Sequence, residues 1–126
     1  MSYSPELAFA FFSSSILFIA GYELQKQPEF EMPLYLYRLG ILGDAIVNLS
    51  TLAAGAAALA SAYWGMTNTS IINTAAHWLG ANIIFGTIHG VLKSTSRNFY
   101  DVFFMGIGVL VGIVLVTASQ GLLWHW

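Results

Sequence analysis

Two polar pairs interrupt the apolar stretches of this sequence at spacings that could support hydrogen bonding or proton transfer. Asp44 and Asn48 are four residues apart, and Asn82 and His89 are seven residues apart. In a helix, each spacing places both side chains on one face. If the two helices are antiparallel neighbours, Asp44 lies at the same level along the helix axes as His89, and Asn48 lies at the same level as Asn82. The sequence therefore predicts a polar seam between them.

This predicted seam has two interpretations. Polar side chains hold apolar helices together through hydrogen bonds that each contribute about 1 kcal/mol or less. Ionisable residues inside membrane helices also mark proton or ion pathways and binding sites. Asp44 lies near the start of its apolar stretch, where water reaches it, and this position favours the structural role.

The histidines raise the question of a cofactor. His77 and His89 are the residue type that binds haem iron as an axial ligand, and histidine also binds the magnesium of chlorophyll-type pigments. The two are twelve residues apart, which places them about 120° apart around a helix at 100° per residue. One helix face therefore does not present both. We predict no bound cofactor and keep haem or pigment ligation as an alternative.

Catalytic patterns are missing from the sequence. It has no cysteine and no HExxH zinc motif. Three consecutive serines, Ser13 to Ser15, lie in an apolar stretch, where hydroxyl groups bond back to helix carbonyls. We predict neither an enzyme activity nor a metal site.

Composition determines the class of element that must position these side chains. The chain has 126 residues, of which 57% are hydrophobic and 8% are charged, whereas soluble domains have about 25% charged residues. A net charge of −2 with no basic patch argues against a nucleic-acid partner. The sequence predicts an all-α integral membrane protein, because helices satisfy their own backbone hydrogen bonds in lipid.

Four apolar stretches are near the length of about 20 residues that crosses a bilayer. Residues 45–92 and 102–126 contain no Asp, Glu, Lys or Arg. We predict a single domain, residues 1–126, forming an up-down bundle of four transmembrane helices. The predicted spans are residues 7–22, 39–63, 71–92 and 102–123.

The basic residues predict the orientation of this bundle. All of them follow the first or the third span, in the loops 23–38 and 93–101, and the other side has none. The positive-inside rule then places both loops on the cytoplasmic side and both termini on the opposite side. The basic residues are Lys26, Arg38, Lys93 and Arg97.

Glycine pairs four residues apart predict close helix packing. Gly86 and Gly90 form such a pair in the third span, and Gly108 and Gly112 form another in the fourth. Small residues let helix backbones approach in lipid, where van der Waals contact drives association. We interpret these faces as the core of the bundle or as docking faces for another subunit.

Three hypotheses about function follow. The leading one is a small non-catalytic membrane subunit that packs into and stabilises a larger membrane complex, a redox or energy-converting complex being one candidate. Its partners would be other integral membrane subunits and lipid. The second is a haem- or pigment-binding subunit that uses His77 or His89. The third is a small homo-oligomeric channel or transporter that uses the seam of Asp44, Asn48, Asn82 and His89.

Overall fold

A computed structural model describes residues 3–26, 41–95 and 107–125. These ranges contain four α-helices, which confirms the predicted all-helical class and the number of helices. Residues 102–106 of the fourth predicted span lie outside the described residues, as do Arg38 and Arg97 in the two predicted loops. The helices are α1 (Pro5–Lys26), α2 (Ile41–Asn68), α3 (Ile71–Thr95) and α4 (Val109–Trp124).

Helix α1 begins two residues earlier than the predicted span, because the chain provides a good start signal there. Ser4 precedes the helix, and its carbonyl oxygen accepts a hydrogen bond from the Ala8 backbone N–H at 3.0 Å. Pro5 takes the first helical position, where a missing N–H costs nothing and the fixed φ angle suits the helix. The whole apolar stretch after Pro5 is thus helical.

A short turn joins α2 to α3 and makes them antiparallel neighbours. Helix α2 continues to Asn68, five residues beyond the predicted span, so only Thr69 and Ser70 connect the two helices. The Thr69 N–H donates to the Gly65 carbonyl at 2.8 Å. The Ser70 hydroxyl caps α3 by accepting from the Asn73 N–H at 3.0 Å, as serine does at helix starts.

Helix α1 lies at the centre of the bundle. Both α1 and α2 contact the other three helices, and α1 makes the largest share of the contacts. In its apolar stretch 61% of residues are buried, against 28% in α2. The main core cluster consists of Leu17, Ala20, Leu24, Val47, Ala54, Ala57, Phe85, Val109 and Val116.

Small residues permit the closest helix contacts. A β-carbon added to Gly112 of α4 would lie 2.9 and 3.0 Å from atoms of Leu17 on α1, including its Cα. A β-carbon added to Gly21 of α1 would lie even closer to the Thr51 side chain of α2, and one added to Gly65 of α2 closer to the Thr74 side chain of α3. Glycine at these positions lets backbone and short side chains meet across the bundle.

The outer surface of the bundle is strongly apolar. Two of the four helices, α1 over Pro5–Leu24 and α2 over its full length, are long and apolar enough to cross a membrane, and α4 is apolar but shorter. Large aliphatic side chains stand exposed on α2, α3 and α4, among them Leu52, Leu59, Ile72, Ile83 and Val114. A continuous apolar surface of this kind indicates contact with lipid or with another protein.

Candidate functional site

Polar contacts connect α1, or the residue just before it, to α3 at three heights, and the middle contact involves Asn82. The Ser15 hydroxyl on α1 donates a hydrogen bond to Asn82 Oδ1 at 3.0 Å. Asn82 Nδ2 donates to the Trp78 carbonyl in its own helix at 2.8 Å. Both ends of the amide are therefore satisfied, as polar groups between apolar helices require.

The second contact lies near the C-terminal ends of α1 and α3 and is called the inner contact. It surrounds Glu23, a residue that is only 7% exposed. Lys93 Nζ donates to both carboxylate oxygens, at 3.2 and 3.4 Å. His89 Nε2 lies 3.7 Å from Glu23 Oε1. Glu23 belongs to α1, whereas Lys93 and His89 are one turn apart on α3, so a single carboxylate joins two basic side chains of the neighbouring helix.

The third contact lies at the opposite end of the two helices and is called the outer contact. It links Ser4, just before α1, to His77. The Ser4 backbone N–H donates to His77 Nε2 at 3.0 Å. His77 Nδ1 lies 2.8 Å from the Asn73 carbonyl oxygen, an acceptor, so Nδ1 bears the proton and the ring is neutral. Tyr3 stacks on the imidazole with ring centroids 5.8 Å apart. Neither ring nitrogen is free in this arrangement, and a metal at His77 would have to displace one of these bonds.

The three contacts show that α1 and α3 run parallel, and they correct the predicted position of the seam. Residue numbers rise together on both helices, from Ser4 with His77 to Glu23 with His89. We predicted the seam between α2 and α3, with Asp44 as the partner of His89. The structure places Glu23 of α1 beside His89 instead.

Asp44 and Asn48 lie on the exposed side of α2. The buried residues of this helix form a stripe that includes Gly43, Val47 and Ala54. Asp44 and Asn48 each follow one member of the stripe and are therefore turned about 100° away from it. Residue spacing located a shared face correctly, but that face is on the outside.

The two glycine pairs have opposite environments. Gly108 and Gly112 are buried within the bundle, so α4 uses this face for packing on α1 and not for docking. Gly86 and Gly90 are exposed, and added β-carbons would meet no atom within 4 Å. Of the two predicted docking faces, only the one on α3 is available in the chain.

A second group of polar contacts joins α2 to α4. Gln120 is 8% exposed, and its Nε2 donates to the Ser61 hydroxyl at 2.9 Å. Trp124 Nε1 donates to Gln120 Oε1 at 3.0 Å. Sequence reasoning missed the pair of Gln120 and Ser61 because neither residue is ionisable, although a glutamine inside an apolar stretch is a visible signal.

Glu23 and Lys93 were also missed, since both lie at the ends of predicted spans, where charges are common. A signal was present in the spacing. Ser15 and Glu23 are eight residues apart on α1, and Asn82 and His89 are seven apart on α3. Both intervals are close to two helical turns, so the two pairs match in height on parallel helices.

The spacing of the contacts along α1 determines what the seam can do. Ser4, Ser15 and Glu23 are separated by 11 and 8 residues, or about 16 and 12 Å at 1.5 Å per residue. The two helices also make apolar contacts: Phe12 of α1 and Phe85 of α3 pack edge to face with centroids 5.5 Å apart. Isolated contacts of this kind hold two helices in register. Within the described ranges, no group of three His, Asp or Glu residues could hold a metal ion.

A cleft of about 990 Å³ opens beside the outer contact. Most of its lining residues belong to α1 and α3, and Leu122 of α4 also lines it. Four residues with polar side-chain groups line it among apolar neighbours: Tyr3, Glu6, Asn73 and His77. No protein-family model, curated protein or solved structure matches this chain, so its function must be inferred from these sites.

Proposed function

We propose that this chain is a four-span integral membrane protein that acts as a non-catalytic subunit within a larger membrane complex. The exposed glycine-bearing face of α3 is the observation on which the proposal rests. Leu79, Ile83, Gly86 and Gly90 follow one another at helical spacing, and all are exposed. A helix of a partner subunit packs on this face, because its two glycines admit a close backbone approach.

The internal polar contacts support a structural role for the chain. Ser15, Asn82 and Gln120 use their hydrogen-bonding groups on neighbouring helices. The Glu23 carboxylate is neutralised by Lys93. Groups engaged in this way stabilise the bundle and leave its apolar exterior for lipid and protein partners.

The parallel arrangement of α1 and α3 supports the proposed orientation. The bond between Glu23 and Lys93 places the ends of these two helices on the same side of the bundle. All the basic residues of the chain lie either in the last turn of these two helices, as Lys26 and Lys93 do, or in the sequence that follows them. By the positive-inside rule this side is cytoplasmic and both termini are on the opposite side.

Cysteine labelling tests the orientation. Thr67 at the end of α2 and Ser94 at the end of α3 are both exposed, and the chain has no native cysteine. In intact cells, an impermeant thiol reagent added outside is expected to label Thr67→Cys and not Ser94→Cys. Permeabilised cells, in which both should react, are the control. Labelling of Ser94→Cys alone in intact cells would contradict the proposed topology and indicate the opposite one.

Leucine substitution of the α3 glycines tests the subunit role. Gly90→Leu, and in parallel Gly86→Leu, are expected to remove the chain from its native assembly, because the larger side chain blocks the approach of a partner helix. The measurement is the apparent mass on a native gel after extraction in mild detergent. The thermal unfolding midpoint should stay within a few degrees of wild type, since both glycines face open space.

The matched control is Gly55→Leu on α2, where an added β-carbon also meets no neighbour. This variant is expected to remain in the assembly. If Gly86→Leu and Gly90→Leu remain assembled as well, α3 is not the docking helix and the proposal loses its main support.

A further inference from the structure

The outer cleft has the size and lining of a small-molecule site. Its volume of about 990 Å³ is at the upper end of the range of ligand pockets, which are mostly apolar with a few placed polar groups. Phe9 and Phe12 of α1 and Ala81 and Ile84 of α3 form apolar walls. The polar residues gather near the helix starts, at the end of the bundle that also holds the α2–α3 turn.

Asn73 is the unusual member of this lining. It is only 3% exposed, and neither Nδ2 nor Oδ1 of its side chain has a hydrogen-bond partner. Buried amides are almost always satisfied in native proteins, and exceptions call for an explanation. Asn82, another asparagine of α3, follows the rule, because both its Oδ1 and its Nδ2 make hydrogen bonds.

We propose that the cleft binds a neutral, lipid-soluble molecule whose polar end, bearing a carbonyl or a hydroxyl group, pairs with the Asn73 amide. Rotation of the Asn73 side chain turns the amide toward the cleft that the residue lines. Nδ2 then donates to a carbonyl oxygen, and Oδ1 accepts from a hydroxyl. The apolar body of the ligand lies along Phe9, Phe12 and Ile84.

Charge selects a neutral ligand. Glu6 lines the cleft, and no Lys or Arg is among its described lining residues. An anionic head group would meet a carboxylate and no compensating cation. His77 is held by Ser4 and by the Asn73 carbonyl, so it contributes a neutral ring to the wall. Two kinds of molecule have the required chemistry: a diacylglycerol-type lipid and a quinone or quinol with an alkyl tail.

Binding of two defined probes to the purified full-length chain in detergent tests the proposal. The probes are dioctanoylglycerol and a decyl-substituted benzoquinone with its quinol, each titrated by calorimetry. We expect one of the two to bind, and the probe that binds distinguishes the lipid from the quinone source. If neither binds, the proposal is overturned.

Asn73→Leu provides the decisive variant because its two readouts should move in opposite directions. Affinity for the bound probe is expected to fall at least tenfold, since the polar partner is lost. The unfolding midpoint without probe is expected to rise, because an unsatisfied buried amide has been removed. Unchanged affinity, or a lower midpoint, would show that Asn73 is a structural residue.

Two further variants separate ligand binding from folding. Asn82→Leu, the same substitution at a bonded asparagine of the same helix, is expected to lower the midpoint and leave the affinity within twofold of wild type. Gly80→Phe places a ring in the cleft, where an added β-carbon meets no atom within 4 Å. It should abolish binding with little change in the midpoint, and retained binding would place the probe elsewhere.

Discussion

Gly112→Leu is expected to destabilise the bundle by more than about 3 kcal/mol, the largest effect we predict for a single substitution. The β-carbon alone would lie 3.0 Å from the Leu17 Cα. A backbone atom of the central helix cannot move aside as a flexible side chain can, so α1 and α4 must separate. Thermal unfolding followed by circular dichroism in detergent measures the effect.

Gly86→Leu is the matched control for Gly112→Leu. Both substitutions add the same side chain to a helical glycine in an apolar helix, but Gly86 faces open space. Its unfolding midpoint should stay near that of wild type, while that of Gly112→Leu falls steeply. Equal midpoints for the two variants would mean that the contact between α4 and α1 is not tightly packed in solution.

Lys93→Met is expected to cost about 2 to 3 kcal/mol, the range for loss of a charged hydrogen-bond partner from a buried group. It leaves the carboxylate of the buried residue Glu23 without the ammonium group that bonds to both of its oxygens. The free energy of unfolding, measured by denaturant titration in detergent micelles, checks this expectation.

Replacing Glu23 instead of Lys93 should lower the free energy of unfolding by less, because the two partners differ in exposure. The Lys93 side chain is 45% exposed, whereas that of Glu23 is 10% exposed. In Glu23→Gln the lysine keeps its contact with water, and we expect a loss of about 1 kcal/mol or less. The double variant should be more stable than Lys93→Met alone, which a double-mutant cycle measures. Equal costs for the two single variants would contradict a buried carboxylate at this position.

The candidate site illustrates which parts of the molecule could be derived from residue patterns. Asn82 and His89 were predicted as polar residues on one side of an apolar helix, and in the structure each lies beside a polar residue of α1. The partner helix was assigned incorrectly, because antiparallel neighbours in sequence were assumed to share the seam. Spacing arguments determine which residues share a face, but they do not specify which helix that face meets.

The glycine pairs show the same difference between what residue spacing predicts and what the packing of the helices decides. GxxxG spacing in the third and fourth spans looked equivalent in the sequence, yet Gly112 packs on Leu17 whereas Gly86 and Gly90 face outward. Asn73 gave no signal, because an asparagine near a helix start is usually a capping residue. Its burial without hydrogen-bond partners is a property of the folded bundle.

The sequence by itself determined the helical class, the number of helices and their approximate positions, because long apolar stretches and turn residues are local properties of the chain. Only the tertiary structure decided that α1 occupies the centre of the bundle and that its polar partners lie on α3. The physical reason is that α1, α3 and α4 have apolar residues on all their own faces, so their sequences do not indicate which face is buried. Where periodicity is absent, the choice of contacts depends on the shapes of small residues and on a few polar groups, which act only between helices already brought together.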